Sequence, residues 1–110
     1  MTSKQWDVVV VPFPFSNQPG AKRRPALVLS DRTFNSRGHT VLAMITTLGH
    51  RSWPGDVVLS DYKIAGLHAP CLARLKIFTL DNRLILKGIG HLSPGDRKKF
   101  EVQLRTYLPW

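Results

Sequence analysis

Lys22-Arg23-Arg24-Pro25 is the most chemically loaded stretch of the chain. Proline disfavours the α region for the residue before it, so Arg24 is expected to be extended and its side chain directed. Successive extended residues point to opposite faces, so Arg23 and Arg24 cannot share a role. A guanidinium held in this way offers phosphate oxygens a planar fork of donors. A solvated cationic loop fits the same spacing equally well. The second candidate is Ile45-Thr46-Thr47, at the end of an apolar run. A hydroxyl at a strand end can hydrogen-bond a phosphate, or it can stabilise a turn, which is its commoner use. Pro12-Phe13-Pro14-Phe15 places aromatic rings beside the cations. Bases stack on such rings for ~1–3 kcal/mol each, although at least one of the two phenylalanines is expected in the core.

Other chemistries lack their residues. There is no GxGxxG, no phosphate loop ending in Lys-Ser/Thr and no HExxH. His39, His50, His68 and His91 are scattered, with no pair at metal-ligand spacing, and read as loop or surface histidines. Cys71 stands without a local motif and reads as a small buried residue. Glu101 is the only glutamate, so a carboxylate pair for glycoside chemistry has no candidates. The expectation is chemistry without metal or cofactor, or none.

Charge narrows the partners. Sixteen Lys+Arg against seven Asp+Glu give a net charge of +9, which attracts polyanions because neutralising phosphates releases condensed counterions. Nucleic acid, an acidic protein, or both are expected; a generally basic proteome is the bland alternative. From Val8 to Arg51 the cations Lys22, Arg23, Arg24, Arg32, Arg37 and Arg51 face one acid, Asp31, and Arg97-Lys98-Lys99 form a second cluster. The apolar runs, such as Val8–Val11 and Ala26–Leu29, are far short of the ~20 residues that span a bilayer. The N-terminal segment lacks the apolar core of a signal peptide, and one cysteine cannot make an intrachain disulfide. A cytoplasmic protein with no membrane partner is expected.

The elements that must position these groups are short. Six strands are expected: Asp7–Val11, stopping at Pro12; Ala26–Leu29, opened by Pro25 after a loop over Phe13–Arg24; Thr40–Thr46; Asp56–Leu59; Leu72–Phe78; and Leu84–Ile89. Leu75, Ile77 and Thr79 should share one face, opposite Lys76 and Phe78. Ser60–Gly66 reads as a helical turn ended by glycine. Ser93 can cap a final helix with Pro94 at its first position, and Phe100, Leu104, Tyr107 and Leu108 then form one apolar face before Pro109. A mainly β fold over a single domain, 1–110, with a small curled barrel and one helix against it, accommodates these strands without long exposed edges.

Asp7–Phe15, Lys22-Arg-Arg-Pro-Ala-Leu-Val-Leu-Ser30 and Met44-Ile-Thr-Thr47 resemble the MazF/PemK family of toxins from bacterial toxin–antitoxin systems. The resemblance continues through Trp53-Pro-Gly-Asp-Val57, Ala65-Gly-Leu67, Phe78-Thr-Leu-Asp81 and Ile89-Gly-His-Leu-Ser93, in order along nearly the whole chain. It implies an SH3-like barrel with a C-terminal helix, a homodimer, and metal-independent cleavage of single-stranded RNA by 2′-OH attack. It also implies an acidic cognate antitoxin, with DNA reached only indirectly through the antitoxin complex. By the same resemblance Arg24 and Thr46 serve catalysis, while Phe15, Lys22, Arg23, Thr47, Arg74 and Lys76 are expected to bind RNA. Three departures stand out. The glycine often found before the first strand is Trp6, which is not expected to adopt glycine-like torsions. Arg74-Leu75-Lys76 lacks the aspartate that some members place two residues after the arginine, and Phe13–Lys22 holds no histidine. His39, His50 and Asp81 are the stand-ins for a general acid or base. A barrel that binds RNA without cutting it, or a CcdB-like poison of a topoisomerase, is the alternative.

Overall fold

The computed structural model describes residues 2–14, 19–49 and 51–109. Its strands are β1 (Asp7–Phe13), β2 (Lys22–Val28), β3 (His39–Thr47), β4 (Val57–Val58), β5 (Cys71–Asp81) and β6 (Lys87–His91). All described pairings are antiparallel, and the sheet order is β4-β5-β3-β2-β1-β6. A short helix α1 (Arg32–Asn35) precedes β3, a 3₁₀ turn (Asn82–Leu84) follows β5, and helix α2 (Pro94–Tyr107) ends the described fold. The expected mainly β architecture with a C-terminal helix holds. No helix of the described residues is long and apolar enough to cross a membrane.

Residues alternate between two apolar clusters. Val8, Leu27, Ala43 and Ile45 pack with Phe100 of α2 on one face, and Val9, Val11, Ala26, Val28, Leu42 and Leu80 pack on the other. Burial on both faces explains why Val8–Val11 reads as an unbroken apolar run. Fully burying a side chain such as Phe100 stabilises by ~1.5–3 kcal/mol.

Several expectations need correction. β1 runs through Pro12 to Phe13, and Lys22–Arg24 belong to β2 rather than to a loop. Pro12 lies beyond the last β1–β6 pair, and Pro25, inside β2, lies one residue before the first β2–β3 pair. Each proline thus sits where its strand has a partner on one side only, so the missing N–H interrupts no second ladder. β5 is longer than expected and its register against β3 shifts between Ala43 and Met44. The expected facing holds across that bulge: Leu75 packs against the first cluster, Ile77 pairs with Ala43 of that cluster though it is left exposed, and Phe78, paired with Leu42, packs into the second. The last strand starts at Lys87, not Leu84, because Asp81 caps the 3₁₀ turn, its Oδ1 accepting from the Arg83 N–H at 2.9 Å. The hydrogen bond from the Arg83 guanidinium, with that backbone bond, holds the Asp81 carboxyl down at about 2.

Trp6 does adopt the torsion reserved for glycine, with φ of 74°. A left-handed conformation costs a side-chain residue ~1–2 kcal/mol. The indole is buried in the first cluster, the Trp6 N–H donates to Val28 O at 2.8 Å, and Trp6 O accepts from the Leu92 N–H at 3.0 Å. Core burial and two backbone bonds over-determine the strained residue.

Helix α2 begins as expected, the Ser93 hydroxyl accepting from the Asp96 N–H at 3.2 Å with Pro94 in the first turn. Its buried side is Asp96 and Phe100, with Leu104 half-buried against the core, whereas Tyr107 and Leu108 are exposed. The segment 60–66 forms turns, and Gly66 (φ 79°) ends them; a Cβ there would lie 2.0 Å from the Ile89 carbonyl oxygen.

Candidate functional site

Strand register sorts the candidate side chains by face. Val11 pairs with Arg24 and Phe13 with Lys22, so Lys22 and Arg24 share the face of the second cluster, and Arg23 faces the other way. Ala26 pairs with Met44. The β2–β3 ladder ends at that pair, and Arg24 and Thr46, each two residues beyond it, lie past the same end of the ladder with alternation putting both on the second-cluster face. Thr47, next to Thr46, faces the side of Arg23.

Two cavities flank this end. One, of about 380 Å³, is lined by Arg23, Arg24, Pro25 and Thr47 together with Leu67, His68, Cys71 and Lys87. It has no acidic lining residue. Its far wall depends on Gly66 and Gly90: a Cβ on Gly90 would lie 2.4 Å from the Ala65 carbonyl carbon, so only glycine lets the turn lie flat on β6. Cys71 is buried, as expected, and burial pushes its thiol pKa up, which makes it a poor nucleophile.

The second cavity, of about 410 Å³, is lined by Phe13, Met44, Thr46, Trp53, Arg74, Lys76 and Phe78, among others. Thr46 is half-buried there. Trp53-Pro54-Gly55-Asp56 forms the turn behind it, with proline second, glycine third at φ 83°, and the Asp56 N–H donating to Trp53 O at 3.1 Å. Those are the residue preferences of a type II turn. Asp56 then clasps β5. Arg74 Nε donates to Asp56 Oδ1 and Arg74 Nη2 to Asp56 Oδ2, both at 3.0 Å, and Nη2 also reaches Arg51 O at 2.9 Å. The Trp53 N–H donates to Asp56 Oδ2 at 3.0 Å. The hydrogen bond from Arg74 to Asp56 raises the guanidinium's already high pKa. Arg74 and Lys76 rest over the indole, 5.7 and 5.3 Å from its centroid.

Arg23, Arg24 and Thr47 therefore border one cavity, and Thr46, Arg74 and Lys76 the other; Lys22 is exposed at the start of β2. Phe15 and His50 lie outside the described residues. His39 and Asp81 pair across β3 and β5 at the end opposite Thr46, roughly 23 Å away at ~3.3 Å per residue. That separation removes both as proton-transfer groups at this site. His68 is the described histidine that lines the Arg24 cavity; in the sequence it reads as a loop or surface histidine, and Trp53 and Asp56 carry no site role there. The Pro-Gly turn signature ahead of Asp56 was a readable signal for the latter pair. Among the described residues no three His, Cys, Asp or Glu side chains converge as a metal site.

The chain matches the family model described as PemK-like, MazF-like toxin of type II toxin-antitoxin system over residues 4–108. No curated protein gave a match. Among solved structures it is similar to MazF in a MazE–MazF complex from Deinococcus radiodurans, with a TM-score of 0.77, 22% identity, and coverage of 98% of this chain and 97% of the other. It is also similar to an endoribonuclease in complex with its cognate antitoxin from a mycobacterial species, with a TM-score of 0.73, 23% identity and 98% of each chain covered. The Mycobacterium tuberculosis toxin MazF-mt6 gives a TM-score of 0.74 at 17% identity, covering 93% of this chain and 95% of that one.

Proposed function

The chain belongs to the PemK-like, MazF-like toxins of type II toxin–antitoxin systems, and from that premise we propose that it is an endoribonuclease cutting single-stranded RNA without a metal. The observation that carries the reading is the shared sheet end, where Arg24, Thr46 and Thr47 sit between two cavities lined by cations. The one carboxylate close by, Asp56, is neutralised by Arg74. An RNA strand crossing this end meets positive charge and hydroxyl groups on both sides.

The chemistry follows from the charge that develops. The ribose 2′-oxygen attacks the adjacent phosphorus while its proton leaves, and the P–O5′ bond breaks. The products are a 2′,3′-cyclic phosphate and a 5′-oxygen that takes up a proton. Negative charge builds on the non-bridging oxygens, where the Arg24 fork stabilises it. Thr46 orients the phosphate, helping to align attacking and leaving oxygens. His68, in the Arg24 cavity, is the imidazole placed to pass a proton to or from the reacting oxygens. Lys22, Arg23, Thr47 and Lys76 hold the strand on either side, and Arg74 contributes mainly by fixing the Trp53–Asp56 turn. The same reading includes a homodimer, a cytoplasmic location and an acidic antitoxin. Its segment laid over these cations would exclude RNA by competition.

Mixed RNA incubated with the purified protein in EDTA should be cut, and end mapping should find cyclic phosphate and 5′-hydroxyl termini. Uncut RNA bound with steep salt dependence would point instead to a binding barrel. Thr46→Ala should lower kcat roughly tenfold, the scale of one lost hydrogen bond to a charged group, and Thr46→Ser should keep most of the rate. Equal loss in both variants in a single-turnover assay would show that the methyl group, not the hydroxyl, matters.

A further inference from the structure

We propose that the cavity beside Trp53 is a nucleobase slot, in which one unpaired base of the RNA stacks on the indole and takes the place of the Lys76 ammonium now resting there. The inference deepens the RNA-cleaving reading and rests on it.

Four observations converge. First, Trp53 is 39% exposed, yet its backbone is held by Asp56 in both directions. An aromatic surface fixed before the ligand arrives loses little freedom on binding. Second, Asp56 is committed to Arg74 through two parallel hydrogen bonds, so the turn is locked to β5 and Arg74 is not free to reach a phosphate. Third, Lys76 is exposed, lies 5.3 Å from the ring centroid and belongs to none of the ion pairs among the described residues. An exposed ammonium over a ring is held weakly and is readily displaced. Fourth, the remaining walls are apolar, Phe13, Met44 and Phe78, while the Thr46 hydroxyl borders the same space. A base fits this combination: a flat ring for the indole, edges for the apolar walls, and a phosphate for the released ammonium. The slot can take only a base that has left its helix, which is how a single strand is told from a duplex. Because Thr46 and Thr47 straddle the two cavities, the slot lies directly beside the point where Arg24 meets the phosphate.

An abasic scan tests the assignment. A short 2′-O-methyl oligoribonucleotide, which lacks the attacking hydroxyl, is made with the base removed at each position in turn, and binding is measured by fluorescence anisotropy. For the wild-type protein, one position should weaken binding about tenfold, within the range expected for a stacked base. Trp53→Ala should weaken the intact oligonucleotide by a similar factor and show no further loss at that position, and Trp53→Phe should recover most of the affinity. A merely structural role for Trp53 would add its loss equally at every position, which would overturn the slot. So would wild-type affinity in Trp53→Ala. Trp53-dependent binding of an acidic aromatic peptide, with RNA binding unaffected, would assign the surface to a protein partner and overturn it too. Cleavage that proceeds with an unchanged KM in Trp53→Ala removes the slot alone; a wild-type protein that neither binds nor cuts RNA removes the reading beneath it.

Discussion

Arg24→Ala is expected to lower the rate of RNA cleavage by at least ~10²-fold, the scale on which removal of one preorganised donor to a developing oxyanion is felt. The folded state should be indifferent. Arg24 is exposed near the start of β2 and takes part in none of the ion pairs among the described residues. Its place is set by backbone, through pairing with Val11 and through Pro25, neither of which needs the guanidinium. Circular dichroism and the thermal midpoint should therefore match the wild type within error. Arg24→Lys separates charge from shape: a point charge without the planar fork should recover only part of the rate. Cleavage by Arg24→Ala within threefold of the wild type, measured at single turnover, would remove Arg24 from the mechanism and leave the scissile phosphate to the neighbouring Arg23.

What could be read in advance was whatever one residue type decides locally. Ser93-Pro94 announced the start of α2, and the β-branched run at Val8–Val11 announced a strand. The opposite facing of Arg23 and Arg24 followed from extended backbone alone. Misreadings arose where a distant partner decides the outcome. Pro12 and Pro25 looked like strand limits because nothing local says that β6 and β3 fall away from those positions. The β5 bulge, and the exposure of Ile77 on the face where Leu75 packs, depend on register against β3, which lies some thirty residues earlier in the chain. Trp6 shows the same limit from the energetic side: its torsion is unfavourable in isolation and is tolerated because Val28 and Leu92 hold it. At the candidate site, the cations were legible as charge, but their division was not. Arg74 turned out to be committed to Asp56, and Lys76 to rest on Trp53.

The largest loss of stability is expected from Asp96→Ala. Residue 96 reads in sequence as an ordinary acid in the first turn of a helix, favourable to the macrodipole by a few tenths of a kcal/mol up to ~1 kcal/mol. Its position makes it more than that. The carboxylate is buried, with Oδ1 accepting from the Ser60 N–H at 3.0 Å, Oδ2 from the Asp61 N–H at 2.9 Å, and Lys99 3.8 Å away. Truncation to alanine leaves two backbone donors without acceptors in a poorly hydrated place, at ~1–3 kcal/mol each. A total of about 3 kcal/mol, read as a lower urea midpoint at unchanged m-value, is the expected outcome. Asp96→Asn keeps one acceptor and should lose roughly half as much. A change below about 1 kcal/mol in Asp96→Ala would mean that water replaces the carboxylate at Ser60 and Asp61. The consequence extends to function, because those two residues open the turn that continues to Gly66 and His68. That turn forms the far wall of the Arg24 cavity and is fixed at its other end by contact with β6 at Gly90. Near the unfolding midpoint of Asp96→Ala, activity should therefore fall before the sheet signal does, as the wall loosens while β1, β2 and β3 remain paired.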